Sequence, residues 1–223
     1  LAGHYHDTHG RAMDMIDASL SLGVRVFDAA VGGSPCYVPD GSEDSWVIGD
    51  PGSLADGPLL TDALALIDAA TDTGTPAHDQ PDPMLYMWKQ GRADMNSLAI
   101  GTFTPVEYQA AIEYCWDRLM TVSGSGAKML VGLTGAEDRQ NVSACSAVRW
   151  AYLKAIAAKS YASQLAGDYD LPRSQDQVHG ERMMYWLTGY RAARSYANAL
   201  LSGTYNTGPE INTATTVDSG REM

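Results

Sequence analysis

The sequence predicts an α-rich α+β fold, with a small N-terminal βαβ unit, a mainly helical body and a mobile C-terminal tail. Three observations carry this expectation. Residues 1–31 change from extended to helical and back to extended patterning. Residues 59–203 repeatedly place apolar side chains at helical spacing. Residues 204–223 are polar, Thr-rich and aperiodic, and a segment without apolar periodicity has little to bury. The expected divisions are therefore 1–38 for the βαβ unit, 39–58 for a Gly/Pro-rich linker, 59–203 for the helical body and 204–223 for the tail.

The elements follow in order. Leu1 to His6 reads as a short strand ended by Gly10, and Ala12, Met15, Ile16, Ala18 and Leu22 form a helical stripe. Gly23 stands where a helix C-terminus favours positive φ, and Val24-Arg25-Val26-Phe27 reads as a second strand. A strand, one helix and another strand is the pattern of a parallel βαβ unit. Glycines and prolines from Gly32 to Pro58 exclude long regular elements. Leu59, Leu60, Ala63, Leu64, Ile67 and Ala70 then share a helix face.

Asp82-Pro83 has the form of an N-cap with proline at the first helical position, which predicts a short helix running to Gln90 and stopped by Gly91. Thr104-Pro105-Val106-Glu107 combines a capping box with an N1 proline. The helix it opens should bury Tyr108, Ile112, Cys115, Trp116 and Leu119 and end at Ser123-Gly124-Ser125-Gly126. Two long helices are expected from about 142 to 165 and from about 175 to 201, with Gly203 ending the second. Trp116, Trp150, Tyr152, Trp186 and Tyr190 sit at helical spacing and read as core.

Composition narrows the classes of function. Acidic residues outnumber basic ones, 27 to 15, for a net charge of −12. That excludes a basic nucleic-acid face and electrostatic docking to anionic lipid. No apolar run reaches the roughly 20 residues that span a bilayer, no secretory leader pattern opens the chain, and a cytoplasmic location is expected. Cys36, Cys115 and Cys145 are too few and too scattered for a disulfide framework. Cys115 and Cys145 read as small buried residues.

The most unusual stretch is Gly3-His4-Tyr5-His6-Asp7-Thr8-His9-Gly10. On a strand, residues i and i+2 point to one face, so His4 and His6 can share a divalent metal. Asp7 or Thr8 can orient the imidazoles by hydrogen bonding.

The run from His4 to Ala12, the helix after it, and Gly23-Val24-Arg25-Val26-Phe27-Asp28-Ala29-Ala30-Val31-Gly32-Gly33 together resemble the 3-hydroxy-3-methylglutaryl-CoA lyases. The match follows the family order but covers only residues 1–38. The resemblance implies a TIM-barrel fragment in which His4 and His6 bind Mg²⁺ or Mn²⁺ and Asp7 supports them. It implies an acyl-CoA substrate and carbon–carbon cleavage to acetyl-CoA and acetoacetate. It also implies a proton-transfer role for Cys36, in Gly32-Gly33-Ser34-Pro35-Cys36-Tyr37.

The chain departs from the family in two ways: Pro35 precedes Cys36, and residues 38–52 hold no asparagine to serve as a further ligand. The family's first-strand acidic ligand and arginine would precede Leu1. Little turnover is expected from this chain alone. A second expectation is a non-catalytic structural or assembly protein with a helical core, such as a virion or head–tail neck component, forming a homo-oligomer or joining a partner protein.

Three lesser features carry weaker chemistry. Ser123 to Lys128 lacks the spacing of a phosphate loop and reads as a linker. His179 and Glu181 lack metalloprotease spacing, and Asp168, Asp170 and Asp176 lack a calcium-loop pattern.

Overall fold

The computed structural model describes residues 34–42, 44–71, 85–123, 126–133, 142–165, 187, 189–195 and 198. Within these the protein is a mixed α+β structure with two small sheets. The expected strands and helix of residues 1–31, and the tail 204–223, lie outside the described residues.

The first sheet is built from the Gly/Pro-rich stretch. Strand β1 (Tyr37–Val38) pairs in parallel with β2 (Val47–Ile48), which pairs antiparallel with β3 (Ala55–Asp56). Each strand has two residues because turn residues close in on both sides. Gly57 fixes the exit from β3: a Cβ there would overlap the backbone carbonyl of Ser45. Its own N–H donates to the Trp46 carbonyl at 2.9 Å. Strands β2 and β3 thus lie within the stretch 39–58 expected as a Gly/Pro-rich linker.

Helix α1 (Pro58–Thr71) begins on a proline and buries Leu59, Leu60, Ala63 and Ile67, as the periodicity predicts. The stretch after Asp82-Pro83 departs from the prediction. Leu85–Trp88 is strand β4, not a helix. A four-residue apolar run fits either state locally, and pairing decides it. Leu85 to Trp88 match Lys128 to Val131 of β5 (Lys128–Val131) in parallel register. Helices α2 (Arg92–Ala99) and α3 (Pro105–Ser123) form the crossover.

Helix α3 begins as its sequence dictates. The Thr104 N–H donates to Glu107 Oε2 at 2.6 Å, and the Glu107 N–H donates to Thr104 Oγ1 at 3.2 Å. This reciprocal box satisfies two donors that a helix start leaves free. Tyr108, Ile112, Cys115, Trp116 and Leu119 are all buried, as expected. Helix α3 packs on α1, α4, β1 and β2, and so joins the two sheets. A second tie is electrostatic. Arg118 grips Asp56 at 2.7 Å through Nη2 and 3.0 Å through Nε, and Tyr114 donates to the same carboxylate at 2.8 Å. The Arg118 hydrogen bond, more than any other influence, holds Asp56 below the usual carboxylate range.

Helix α4 (Val142–Ala158) ends earlier than the predicted 165. The chain turns at Lys159 and returns as β6 (Ala162–Gln164), parallel to β5. The second sheet is therefore fully parallel, in the order β4-β5-β6. A helical body over 59–203 does not account for it, because strands at 85–88, 128–131 and 162–164 are embedded among the helices. Residues 189–195 are helical, in line with the last predicted helix. Lys128 opens β5.

Trp116 and Tyr152 lie in the core, but Trp150 is 39% exposed and carries Lys154 over its ring. Positions 148 and 152 face inward on α4, so position 150 turns away from them. Tyr190 is half-buried, and Trp186 is outside the described residues. Cys115 and Cys145 are buried and form no disulfide.

Candidate functional site

Among the described residues, the strongest concentration of buried polar chemistry lies where the segment 34–38 meets the joint between β4 and α2. Buried aromatic rings pack around it. Trp46, Trp88, Trp116, Tyr152, Tyr108, Phe103 and Tyr37 form a continuous series with centroid spacings of 5.0 to 6.4 Å. Such a lining excludes water and strengthens every electrostatic contact within it.

Asp94 sits at the centre, in the first turn of α2, and is fully buried. The Cys36 N–H donates to its Oδ1 and Oδ2 at 2.9 and 3.0 Å, and the Tyr37 N–H donates to Oδ1 at 3.0 Å. The Tyr108 hydroxyl donates to Oδ2 at 3.1 Å. Behind Tyr108 stand the Tyr152 hydroxyl at 3.4 Å and the Trp88 indole N–H, which donates to Tyr152 at 3.0 Å. An indole can only donate and a carboxylate can only accept, so the chain runs from Trp88 through Tyr152 and Tyr108 to Asp94. The ionised carboxylate is the one terminus that satisfies every hydroxyl on the way.

Gln90 adds a second attachment by donating from Nε2 to the Ser34 carbonyl at 2.7 Å. Gly91 makes the joint possible. Its φ is +112°, and a Cβ there would lie 2.7 Å from Val148 Cγ1 and 3.1 Å from the Tyr108 hydroxyl. The bare backbone lets α2 start close against α3 and α4, which brings Asp94 under Cys36 and Tyr37.

Electrostatics at the site are dominated by burial. Desolvation pushes the Asp94 carboxyl up to about 6, against the opposing pull of the Cys36 and Tyr37 N–H groups and the Tyr108 hydroxyl. Burial, reinforced by Asp94 and Cys115, pushes the Cys36 thiol well above its ordinary value. The same desolvation raises Tyr108 and Tyr152. At neutral pH, Cys36 is a buried S–H and Asp94 is the group that exchanges a proton. Perturbed acid groups of this kind gather at functional sites more often than elsewhere.

Of the residues singled out in the sequence, Cys36 falls inside this cluster. His4, His6 and Asp7 lie outside the described residues, as do Asp168, Asp170, Asp176, His179 and Glu181. Among the described residues, no group of three or more His, Cys, Asp or Glu side chains is arranged to hold a metal. Sequence reasoning missed Asp94, Gln90 and the Trp88–Tyr152 link. An acid in the first turn of a helix is so common that Asp94 carried no special signal. Its partners stand 57 and 58 positions away along the chain.

The fold around this site defines a mixed α+β protein with a parallel βαβ core, an architecture that serves many unrelated activities. No protein-family model, curated protein or solved structure matches the chain. No described helix is long and apolar enough to cross a membrane.

Proposed function

We propose that the chain is a divergent metal-dependent carbon–carbon lyase of the hydroxymethylglutaryl-CoA lyase type, with little turnover by itself. The observation that carries this reading is the ordered sequence motif from His4 to Cys36, in which a His-x-His pair, spaced to share one face of a strand, is followed by a glycine-rich approach to a cysteine. Two further observations support it. The backbone N–H of Cys36 donates to a carboxyl that titrates near 6, which sets an acid in the same buried cluster as the cysteine. The body that follows is built on a parallel sheet, and such sheets commonly bind small molecules beyond their strand carboxyl ends.

In this reading His4 and His6 would hold Mg²⁺ or Mn²⁺, with Asp7 orienting them. The bound ion supplies Lewis-acid polarisation of the acyl-CoA substrate's oxygens. Two imidazoles are a sparse donor set for a hard divalent ion, and residues 38–52 supply no asparagine to extend it. Weak binding is therefore expected. Calorimetric titration should show a Mn²⁺ site in the full chain that the double variant His4→Ala/His6→Ala lacks. Identical titrations of the two proteins would remove the metal, and with it the lyase. Release of acetoacetate from the CoA thioester should be at or near background.

One observation favours the assembly reading instead. Ile100 is 81% and Val106 is 62% exposed, and Trp150 and Leu153 stand out from α4. Trp150 and Leu153 are three positions apart on one exposed face of α4, and an apolar patch there fits a protein that meets a copy of itself or a partner. Light scattering separates this reading from the first, since a strict monomer at high concentration speaks against assembly.

A further inference from the structure

We propose that the Asp94 carboxyl is a pH-sensitive latch, holding the Ser34–Val38 segment against the β4–α2 joint more firmly in mildly acid than in neutral solution, and so governing exposure of Cys36. The proposal stands on geometry and is independent of the lyase reading. One side chain receives both consecutive backbone N–H groups of Cys36 and Tyr37 from across the fold. Gln90 fastens the same segment at Ser34. The segment's own strand pairing is brief, since β1 has only two residues. Its seat therefore depends on the side chains beneath it more than on a long ladder.

The sign follows from which influence on Asp94 is largest. Releasing the segment removes two donors, which favours the proton, and admits water, which favours the charge. Burial outweighs the donors in the closed form. Water therefore gains more than the lost donors cost, and the charged carboxylate prefers the open form. Opening is rarest when Asp94 is protonated and becomes more frequent as pH rises through about 6.

The titratable groups facing Asp94 do not blur this window. From the segment itself comes Cys36, from α3 come Tyr108 and, beyond Cys36, Cys115, and from α4 comes Tyr152. All four are raised, so none ionises in mildly acid or neutral solution. Tyr37 turns its hydroxyl away to the Gly49 carbonyl, in the field of Glu107 and Asp50, and is raised as well.

The test is amide hydrogen exchange of the full chain between about pH 4.5 and 7.5, corrected for the intrinsic rate. The protection of Cys36 and Tyr37 should fall by about tenfold or more across that range, with a ceiling of about 30-fold for this shift. The Met129 amide, which donates to Tyr161 within the parallel sheet, serves as the control for global unfolding. Global unfolding also frees Asp94, so the Met129 protection should exceed that of Cys36 and Tyr37 at every pH even where it falls in parallel. In Asp94→Asn the fall at Cys36 and Tyr37 should vanish. In Tyr108→Phe the carboxylate loses a donor, so the midpoint of the fall should move to higher pH. That variant carries the test if Asp94→Asn does not fold. Protection at Cys36 and Tyr37 that is flat or rises with pH would overturn the latch, as would protection equal to that of Met129 throughout, since the segment would then open only with the whole fold.

Discussion

Asp94→Ala is expected to destabilise the protein by about 3 kcal/mol at pH 7.5, and by about 2 kcal/mol more at pH 4.5. The first figure is the cost of leaving the Cys36 and Tyr37 N–H groups buried without acceptors, at about 1–3 kcal/mol each. Part of that cost is offset at neutral pH, because the substitution also removes a buried charge. The pH term has a definite sign. Asp94 titrates near 6 in the folded protein and near 3.8 when unfolded, so the folded state binds more protons between those values. Its contribution to stability is full below about 3.8 and is lost as pH rises through about 6. The wild type therefore holds more of this stability at pH 4.5, and the variant loses more there. Asp94→Asn keeps one acceptor oxygen for the two N–H groups, so its loss should be less than half as large and free of this slope. Urea titrations of the three proteins at both pH values measure all of these quantities. An Asp94→Ala penalty that is equal at the two pH values, or larger at pH 7.5, contradicts the assignment of a raised acid at the core of the site.

Gly91→Ala should be at least as damaging, with a loss of about 4 kcal/mol. Two costs add. A backbone φ of +112° disfavours any L side chain by about 1–3 kcal/mol. The added methyl would also press on Val148 Cγ1, Tyr108 and the Tyr152 ring, and overpacking typically costs about 1–3 kcal/mol. The two parts can be separated. Val148→Ala makes room for the methyl but leaves the backbone unchanged. The double variant should be more stable than the sum of the single losses by about 1–2 kcal/mol, as read from a double-mutant cycle in urea. Strict additivity would mean that the clash is relieved elsewhere and that only the dihedral matters.

These two residues share one role. Gly91 allows α2 to start within reach of α3 and α4, and Asp94 uses that proximity to hold a segment from the other sheet. Arg118 performs a comparable task at the surface by tying β3 to α3 through Asp56. That pair is 40% and 23% exposed, so solvent screens it and its contribution is far smaller. The difference between the two ties is one of environment rather than of hydrogen-bond count.

The sequence by itself determined the features that depend on neighbours a few positions apart. The capping box at Thr104 and Glu107 set the start of α3. The apolar periodicity that follows named its buried face residue by residue, and Leu59 to Ile67 did the same for α1. Only the tertiary structure decided what depends on distant partners. Leu85–Trp88 is a strand because Lys128–Val131 lies beside it, and the predicted end of α4 became β6 because Met129 to Val131 offered a second open edge. Asp94 became the centre of the candidate site for the same reason, since burial and two N–H groups from remote positions give an ordinary first-turn acid its unusual acidity. Local pattern reports the period of a segment, whereas strand pairing and desolvation are set by what packs against it.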